Sequence, residues 1–329
     1  MTEISELVKD VDMMELASKV ADNAILTNEE TELTAELDAR FKEIGRTGHD
    51  ADHEISAFIR KTLQENYANA PDEILDRLFD RDSIGEFDDF ETDVMPKNTL
   101  EAHEAAKGGN VERSFIDIGK LTPTWRNKQI ESDLSFSDLR RNGFKSVALY
   151  TQYADEAFHN AMFTDILAVL DAAIASGADN YISEATASPT EASCDAMTLY
   201  LHDYADGDQP VMIALNKYMQ KVSKLQSQYF SESMKDELHR SGFLGMYNGV
   251  DLYGISSAKK FADGSLLIPD KRIFGIAGTI GTLTRKGDVD VYQVENPNTE
   301  QIHLLFKNFA YGIAYNSDTI KKVCKMVLA

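Results

Sequence analysis

Basic side chains are scarce in this chain. It has 33 Lys and Arg against 55 Asp and Glu, for a formal net charge of −22 over 329 residues and a pI near 4.7. That balance excludes the usual route to nucleic-acid affinity, which rests on neutralised phosphates. A chain of this charge beside DNA encloses it rather than grips it. Cysteine is nearly missing, with Cys194 and Cys324 far apart. Two distant thiols exclude a disulfide scaffold and suit a reducing compartment. Long apolar runs are missing too. The richest stretch, residues 166–175, contains Asp171 and is too short to cross a bilayer. The opening MTEISELVKDVDMME is acidic and lacks an apolar core, which excludes a secretory signal or a transit peptide. These shortages lead to the expectation of a soluble protein without a membrane partner, staying in the cytoplasm where it is made.

What is present is enough apolar material for a core, and an uneven charge. Hydrophobic residues make up 43% of the chain. The length exceeds one average domain, so one large or two smaller domains are expected. Residues 1–100 carry 26 acidic and 10 basic side chains, which is most of the net charge. Apolar spacing predicts helices over 4–20, 27–45, 52–68 and 71–85. Leu33, Leu37, Phe41 and Ile44 mark the apolar face of the second. Thr27 with Glu30 reads as a capping box, and Pro71-Asp72-Glu73 as a helix start. The acids between read as a solvated face, or as an arm or built-in assembly segment. Residues 82–110, with Pro96 and Gly108-Gly109, read as a loop and a domain boundary.

Alternation over 111–136 predicts two strands turned around residues 121–124, with Pro123 confining the second to an edge or to its own beginning. Trp125, the single tryptophan, sits at that turn beside Arg126 and Lys128. An amphipathic aromatic flanked by cations suits an interface, and equally suits packing under a hairpin. Residues 137–177 give the longest helical signal, interrupted at Asn142-Gly143 and closed by Gly177 as a C-cap. The apolar set there is Leu149, Tyr153, Ala157, Ala161, Ile166, Leu170 and Ile174. From Val147 such a helix runs roughly 45 Å, long enough to be a spine on which other elements lie. Residues 193–205 read as a further helix. So do residues 211–239, although their opening VMIAL equally reads as a buried strand. Short strands over 241–270 follow, punctuated by Gly242, Gly245, Gly249, Gly254 and Gly264. The chain closes with the glycine-rich LLIPDKRIFGIAGTIG, the alternating QIHLLFKNFAYGIAYNSD and a short basic helical tail.

Patterns that carry chemistry are few. His49, Asp50, Asp52, His53 and Glu54 form the clearest metal-like cluster, since two histidines four apart share a helix face. A zinc protease would place a second histidine where Ala57 stands after His53-Glu54. No histidine precedes His49 to complete the histidine–aspartate pattern of metal phosphohydrolases. A solvated helix start is the expected reading. Gly275, Gly278 and Gly281 are spaced G-x-x-G-x-x-G, which is not the dinucleotide fingerprint; close backbone approach or strand bending is expected instead. Cys194 and His202 would stand about 12 Å apart on one helix, too far for a nucleophile and its base. His159, His239 and His303 read as structural. No serine lies in a G-x-S-x-G context. No catalytic residue, cofactor or metal is expected, and the chain does not read as an enzyme.

From about residue 111 to residue 329, the order of elements and several phrases resemble the tailed-bacteriophage major capsid protein family, whose subunits have the Hong Kong 97-type shell fold. SFIDIGKLTPTWRNKQI with LSFSDLRRNGFKSVALYTQYADEAF resembles the strands that lead into its spine helix. ALNKYMQKVSKLQSQYF with YNGVDLYGISSAKKFADGSLLIPDKRIFGIAG resembles its axial domain. FKNFAYGIAYNSDTIKKVCKM resembles its returning peripheral strand and terminal segment.

The resemblance implies an α+β fold with a long spine helix, an extended β loop, peripheral and axial domains, and a helical acidic N-terminal region. The implied divisions are 1–110 (acidic arm or scaffold-like region), 111–190 (extended strands and spine helix), 191–290 (axial domain) and 291–329 (returning strand and C-terminal segment). It further implies a virion protein that self-assembles as pentamers and hexamers into an icosahedral shell around double-stranded DNA. That shell forms in the host cytoplasm, with no cofactor and no sequence-specific DNA contact. The implied partners are a portal and scaffolding, protease or decoration proteins. Encapsulins, cellular shells that load cargo enzymes, are similar, so an encapsulin-like compartment is the alternative. A metal-dependent enzyme using His49, Asp50 and His53 is a further one. For assembly interfaces the expected residues are Trp125, Arg126 and Lys128, and in the axial stretch Gly242, Gly245, Tyr247, Gly249 and Gly264.

Overall fold

The computed structural model describes residues 12–50, 52–69, 73–93, 120–205, 207–225, 231, 245–258, 260–261, 264–296, 298–316 and 318–329. Pro71, Gly242, His239 and the strand expected over 111–119 lie outside them. The first elements are α1 (Met13–Ala21), α2 (Asn28–Thr47), α3 (Glu54–Asn69), α4 (Glu73–Leu78), β1 (Phe79–Ile84), β2 (Thr92–Asp93), β3 (Lys120–Leu121), β4 (Thr124–Ser135), α5 (Phe136–Asn142) and α6 (Phe144–Ala173). Then come β5 (Tyr181–Glu184), α7 (Glu191–Tyr204), β6 (Val211–Leu215), α8 (Asn216–Val222), β7 (Met246–Tyr247), β8 (Val250–Ile255), β9 (Arg272–Ile276), β10 (Gly281–Lys286), β11 (Asp290–Asn296), β12 (Gln301–Tyr315) and β13 (Val323–Leu328). The chain divides into two units. Met1–Glu73, Arg126–Asp165 and Lys286–Tyr311 form the first; Ile74–Trp125, Ile166–Arg285 and Gly312–Ala329 form the second. No helix among the described residues is long and apolar enough to cross a membrane.

In the first unit, side chains next to each helix start satisfy its orphan amides. Asp12 accepts from the Met14 and Glu15 amides. The expected Thr27/Glu30 capping box is closed in both directions. Asp50 accepts from the Glu54 and Ile55 amides at 3.0 and 3.1 Å, at the start of α3. The apolar faces of α2 and α3 meet the start of α6. Phe41, Phe58 and Phe144 are fully or almost fully buried, and their ring centroids lie 5.5, 5.8 and 6.0 Å apart. Gly45 lets α2 touch α5 backbone to backbone, because a Cβ there would lie 2.6 Å from the Arg140 nitrogen. Arg140 Nε donates to the Gly45 carbonyl at 2.6 Å. Asp38 accepts from the Phe144 amide at 3.3 Å, so an acid of α2 caps the long helix.

The break expected at Asn142-Gly143 separates α5 from α6, with Gly143 at φ 53. The 30 residues of α6 run about 45 Å. Its buried row in the first unit is Phe144, Val147, Thr151, Ala154 and Phe158. The apolar set through Leu149, Tyr153 and Ala157 drifts off this row: Tyr153 is 62% exposed and Ala157 is exposed. Successive steps of four drift about 40° each around a 3.6-residue turn, whereas alternating steps of three and four stay on one face. Gly177 is also not the C-cap, since α6 ends at Ala173 and Gly177 lies in a later turn at φ 88. In the same unit β12 pairs with β4 and β11. Ile302, Leu304 and Phe306 are buried on one face of β12. Phe158 meets Phe306 and Phe309 at 6.4 and 4.5 Å.

In the second unit a six-stranded sheet runs β5-β13-β9-β6-β8-β7. β13 is parallel to β5 and antiparallel to β9; β6 is antiparallel to β9 and parallel to β8. One open reading closes here and one expectation changes. VMIAL is β6, the strand reading, with all five residues buried; an unbroken apolar run suits a strand covered on both faces. α8 follows it, and the rest of the helix expected up to residue 239 falls almost entirely outside the described residues. The basic helical tail is a four-residue 3-10 turn, Thr319–Lys322, followed by β13. Lys325 of that segment is 6% exposed. Its Nζ lies 2.6 Å from the Asp171 carbonyl, 3.2 Å from the Asp171 carboxylate and 5.5 Å from the Tyr181 ring centroid. A buried charge requires such partners.

The helix expected over 71–85 stops at Leu78, and Phe79–Ile84 is β1, paired with β10. Between Phe79 and Ile84 there is no apolar residue to extend a helix face. The first strand of the hairpin expected around residues 121–124 lies mostly outside the described residues; its last two residues, β3, pair with β2 as Thr92↔Leu121 and Asp93↔Lys120. Pro123 has no amide to continue a ladder between β3 and β4. The expected close approach at the glycine triplet is met at Gly281, where a Cβ would overlap the Ala314 carbonyl, and at Gly275, where it would lie 2.7 Å from Leu201 Cδ1.

Candidate assembly surfaces

Trp125 belongs to the second unit and is 37% exposed. A Cβ at Gly312 would lie 3.0 Å from two atoms of the indole and 2.6 Å from Pro123 Cβ. The bare backbone of β12 therefore seats one side of the ring, and part of the ring stays at the surface. Packing and exposure, the two readings of this residue, coexist. Arg126 and Lys128 lie in the first unit, 3.3 and 2.8 Å from Asp165 Oδ2 on α6. Tyr311 donates its hydroxyl to the same oxygen at 2.6 Å. Burial alone would raise the Asp165 carboxyl. The bonds from Lys128 and Tyr311 outweigh it and hold the group below the usual carboxylate range. Both cations thus tether β4 to the long helix.

In the second unit, Tyr247, Asn248, Gly249 and Val250 form the turn between β7 and β8. Asn248 at φ 47 and Gly249 at φ 81 have the two left-handed residues that a tight hairpin turn needs. Tyr247 is buried and donates to Asp195 of α7 at 2.7 Å; the Asn248 side-chain amide donates to the same oxygen at 2.9 Å. His202 Nε2 lies 3.0 Å from the Asn248 carbonyl. The turn is pinned to α7 by three side chains. At Gly245 and Gly264 nothing lies within 4 Å of where a side chain would stand. Exposed apolar residues that the glycine pattern did not single out are Phe87, Leu199, Met246, Tyr292 and Val294. The alternation in DVYQVEN was the signal that could have found the last two.

The metal-like cluster resolves into the expected helix start, with Asp50 buried there rather than solvated. Both Asp50 oxygens take amides of α3, and His53 turns the chain at φ 52. Among the described residues no three His, Cys, Asp or Glu side chains are grouped to hold a metal ion. His303 Nδ1 lies 2.8 Å from Asp133. Cys194 and Cys324 are buried, and burial pushes both thiols up to about 12, so they stay protonated and unreactive.

His49 Nδ1 lies 2.6 Å from Glu295 Oε2, and that bond raises the imidazole above its ordinary 6.5. Burial opposes ionisation of Glu295, but His49 and the Asp50 amide lower it below 4.5. A raised base contributes stability below its unfolded value and loses it as pH rises through the folded one; a lowered acid does the reverse. The pair therefore contributes fully between the ordinary values of 4.5 and 6.5. The thermal midpoint of the first unit should fall as pH rises through neutrality, and His49→Ala should flatten that slope. An equal slope in both proteins would remove the pair from the account.

The sequence model of the SPbeta prophage-derived putative capsid protein YonB matches residues 3–314. No curated protein matches the chain. Similar solved structures include the capsid of cyanophage P-SCSP1u (TM-score 0.52, 10% identity, 78% of this chain and 88% of that one). The capsid of an empty GTA particle has a TM-score of 0.54 at 11% identity, covering 80% of this chain and 97% of that one. A structure of Mycobacterium phage Bobi has a TM-score of 0.52 at 10% identity, covering 85% and 99%. At such identities the likeness speaks for the fold, and that fold is the α+β capsid architecture expected from the resemblance. With the family model spanning nearly the whole length, the chain belongs to the family of the SPbeta prophage-derived putative capsid protein YonB.

Proposed function

We propose that the chain is the major capsid protein of a tailed bacteriophage, a building block that self-assembles into the icosahedral head shell enclosing the phage genome. The family match over residues 3–314 carries this reading, and the fold shared with two capsid structures supports it. The physics is consistent. Many modest heterologous contacts, repeated around closed symmetry, stabilise a shell without any tight pair. A net charge of −22 keeps the wall from trapping packed DNA. The protein acts as structure, not as a catalyst, in pentamers and hexamers. Its accessory partners are a portal and scaffolding, protease or decoration proteins, and assembly takes place in the host cytoplasm. Residues 191–290 act as the axial domain; residues 111–190 supply the extended strands and spine helix of the peripheral one, and residues 291–329 its returning strand and the C-terminal segment; residues 1–110 act as an acidic arm or scaffold-like region.

Electron microscopy of the purified protein tests the reading: closed icosahedral particles are expected, and small discrete oligomers alone would overturn it. Particle size and DNA content separate a phage head from an encapsulin-like compartment. The Trp125 turn and the axial stretch of Gly242, Gly245, Gly249 and Gly264, braced by the buried Tyr247, carry neighbour contacts. Trp125→Ala is expected to lower shell yield several-fold while the circular dichroism of the subunit stays unchanged. Shells at the normal yield would remove Trp125 from the interface.

A further inference from the structure

In the first unit, one side of strand β11 pairs with no other strand among the described residues. The strand pairs with β12 from Asp290↔Lys307 to Asn296↔Gln301 in an unbroken register and stands last in its sheet. From Asp290 to Glu295, no backbone bond to anything but β12 is made among the described residues. The side chains of β11 alternate between two faces. Val291 is buried, and Gln293 and Glu295 accept from the Ser56 and Asp50 amides. On the other face Asp290 meets Arg60 of α3 at 3.1 Å and accepts from the Asn308 side-chain amide at 2.7 Å, while Tyr292 is 53% and Val294 63% exposed. Leu305 stands opposite Tyr292 and His303 opposite Val294, and Lys307 lies 5.5 Å from the Tyr292 ring centroid.

Soluble proteins blunt such an edge with proline, lysine, a bulge or an unpaired charge. β11 contains no proline and no lysine, its register has no bulge, and its two acids are engaged with α3 or its approach. What remains is a seven-residue strand with two surface apolar side chains and open backbone groups.

We propose that the β11 edge, with Tyr292 and Val294 beside it, is a contact surface for a second copy of this chain. The proposal rests on the shell reading, which makes identical copies the neighbours each subunit must meet. The sheet itself adds a geometric reason. In this unit β12 is flanked by β11 on one pairing and by β4 on another. Along β4 the residues Asn127, Gln129, Glu131 and Asp133 are exposed, so its surface is polar where that of β11 is apolar. With the flanks unlike, a copy that meets β11 through a different surface of its own makes a heterologous contact, the kind that closes into rings. Added strand pairing supplies backbone hydrogen bonds, and the apolar pair supplies burial.

The test has two arms. In assembled wild-type shells the outer-side amides of β11 should exchange hydrogen at least tenfold more slowly than in dissociated subunits. Equal exchange in both states overturns the proposal. The double variant Tyr292→Lys with Val294→Lys, made at exposed positions, should keep the subunit's circular dichroism and thermal midpoint and lose at least nine-tenths of its particle yield. Wild-type yield from a folded variant overturns it as well; if the variant misfolds, the exchange comparison decides. Wild-type protein that forms only small oligomers overturns the shell reading, and this proposal with it. Wild-type shells with an unprotected β11 overturn this proposal alone.

Discussion

Deleting residues 323–329 is expected to abolish the folded second unit. β13 lies inside the six-stranded sheet, with β5 on one side and β9 on the other. Val323, Cys324 and Met326 are fully buried and Leu328 nearly so. Each buried aliphatic side chain contributes about 1.5–3 kcal/mol, against a net stability of only about 5–15 kcal/mol for a typical domain. The deletion also opens the facing edges of β5 and β9 and leaves Asp171 without the Lys325 ammonium that meets it. Backbone bonds anchor both ends of the strand: the Ala277 amide donates to the Lys322 carbonyl, and the Leu328 amide donates to the Lys271 carbonyl. The expected result is a chain that accumulates as aggregate, or one whose second unit is cut rapidly by protease while the first survives. Met326→Asp, which buries an unpaired charge at a fully covered position, should have the same outcome at full length. A truncated chain with the wild-type thermal midpoint would mean that the terminus is a dispensable tail, as its lysines alone suggest.

The second large effect concerns the acidic helices. Removing residues 1–69 is expected to unfold the first unit, because α2 and α3 supply Phe41 and Phe58, the two rings that pack against Phe144. Phe144→Ala alone should cost about 3–5 kcal/mol, read as a lowered denaturation midpoint. The acids there are not only a solvated face. Asp38 caps α6, Asp50 caps α3, Glu54 forms a two-bond pair with Arg40, and Glu30 pairs with Lys19. Subunits taken from mature particles should therefore retain residues 12–69. Intact mass of the shell protein measures this directly. A mass short by all three helices would show that the shell stands without them and that their packing serves only the immature subunit.

Much of the local structure was legible before any coordinates. The Thr27/Glu30 capping box, the break at Asn142-Gly143, the long helix after it and the Asn248-Gly249 turn each depend on residues within a few positions of one another. The assembly candidates were legible only as residue types. Trp125 could be recognised as an amphipathic aromatic, but its seat on Gly312 lies far away in sequence. Arg126 and Lys128 could be recognised as cations, but not as the partners of Asp165. Tyr247 gave no sign in the sequence that its hydroxyl would be held by Asp195. The β11 edge was missed because alternation marks a strand without saying whether a neighbour covers it.

The amino-acid order by itself determined several helix starts, the break at Asn142-Gly143, the tight turns, the net acidity, and the succession of elements by which its family is recognised. Capping and turn formation are decided by bonds between near neighbours, so a short window contains all the information they need. The tertiary structure alone decided that VCKMVL is a central strand, that the helix from Glu73 gives way to a strand at Phe79, and which row of the long helix is buried. An extended segment makes its hydrogen bonds with strands that arrive from elsewhere. For β13 these are Tyr181–Glu184 and Arg272–Ile276, and no local pattern encodes which distant partner will be there.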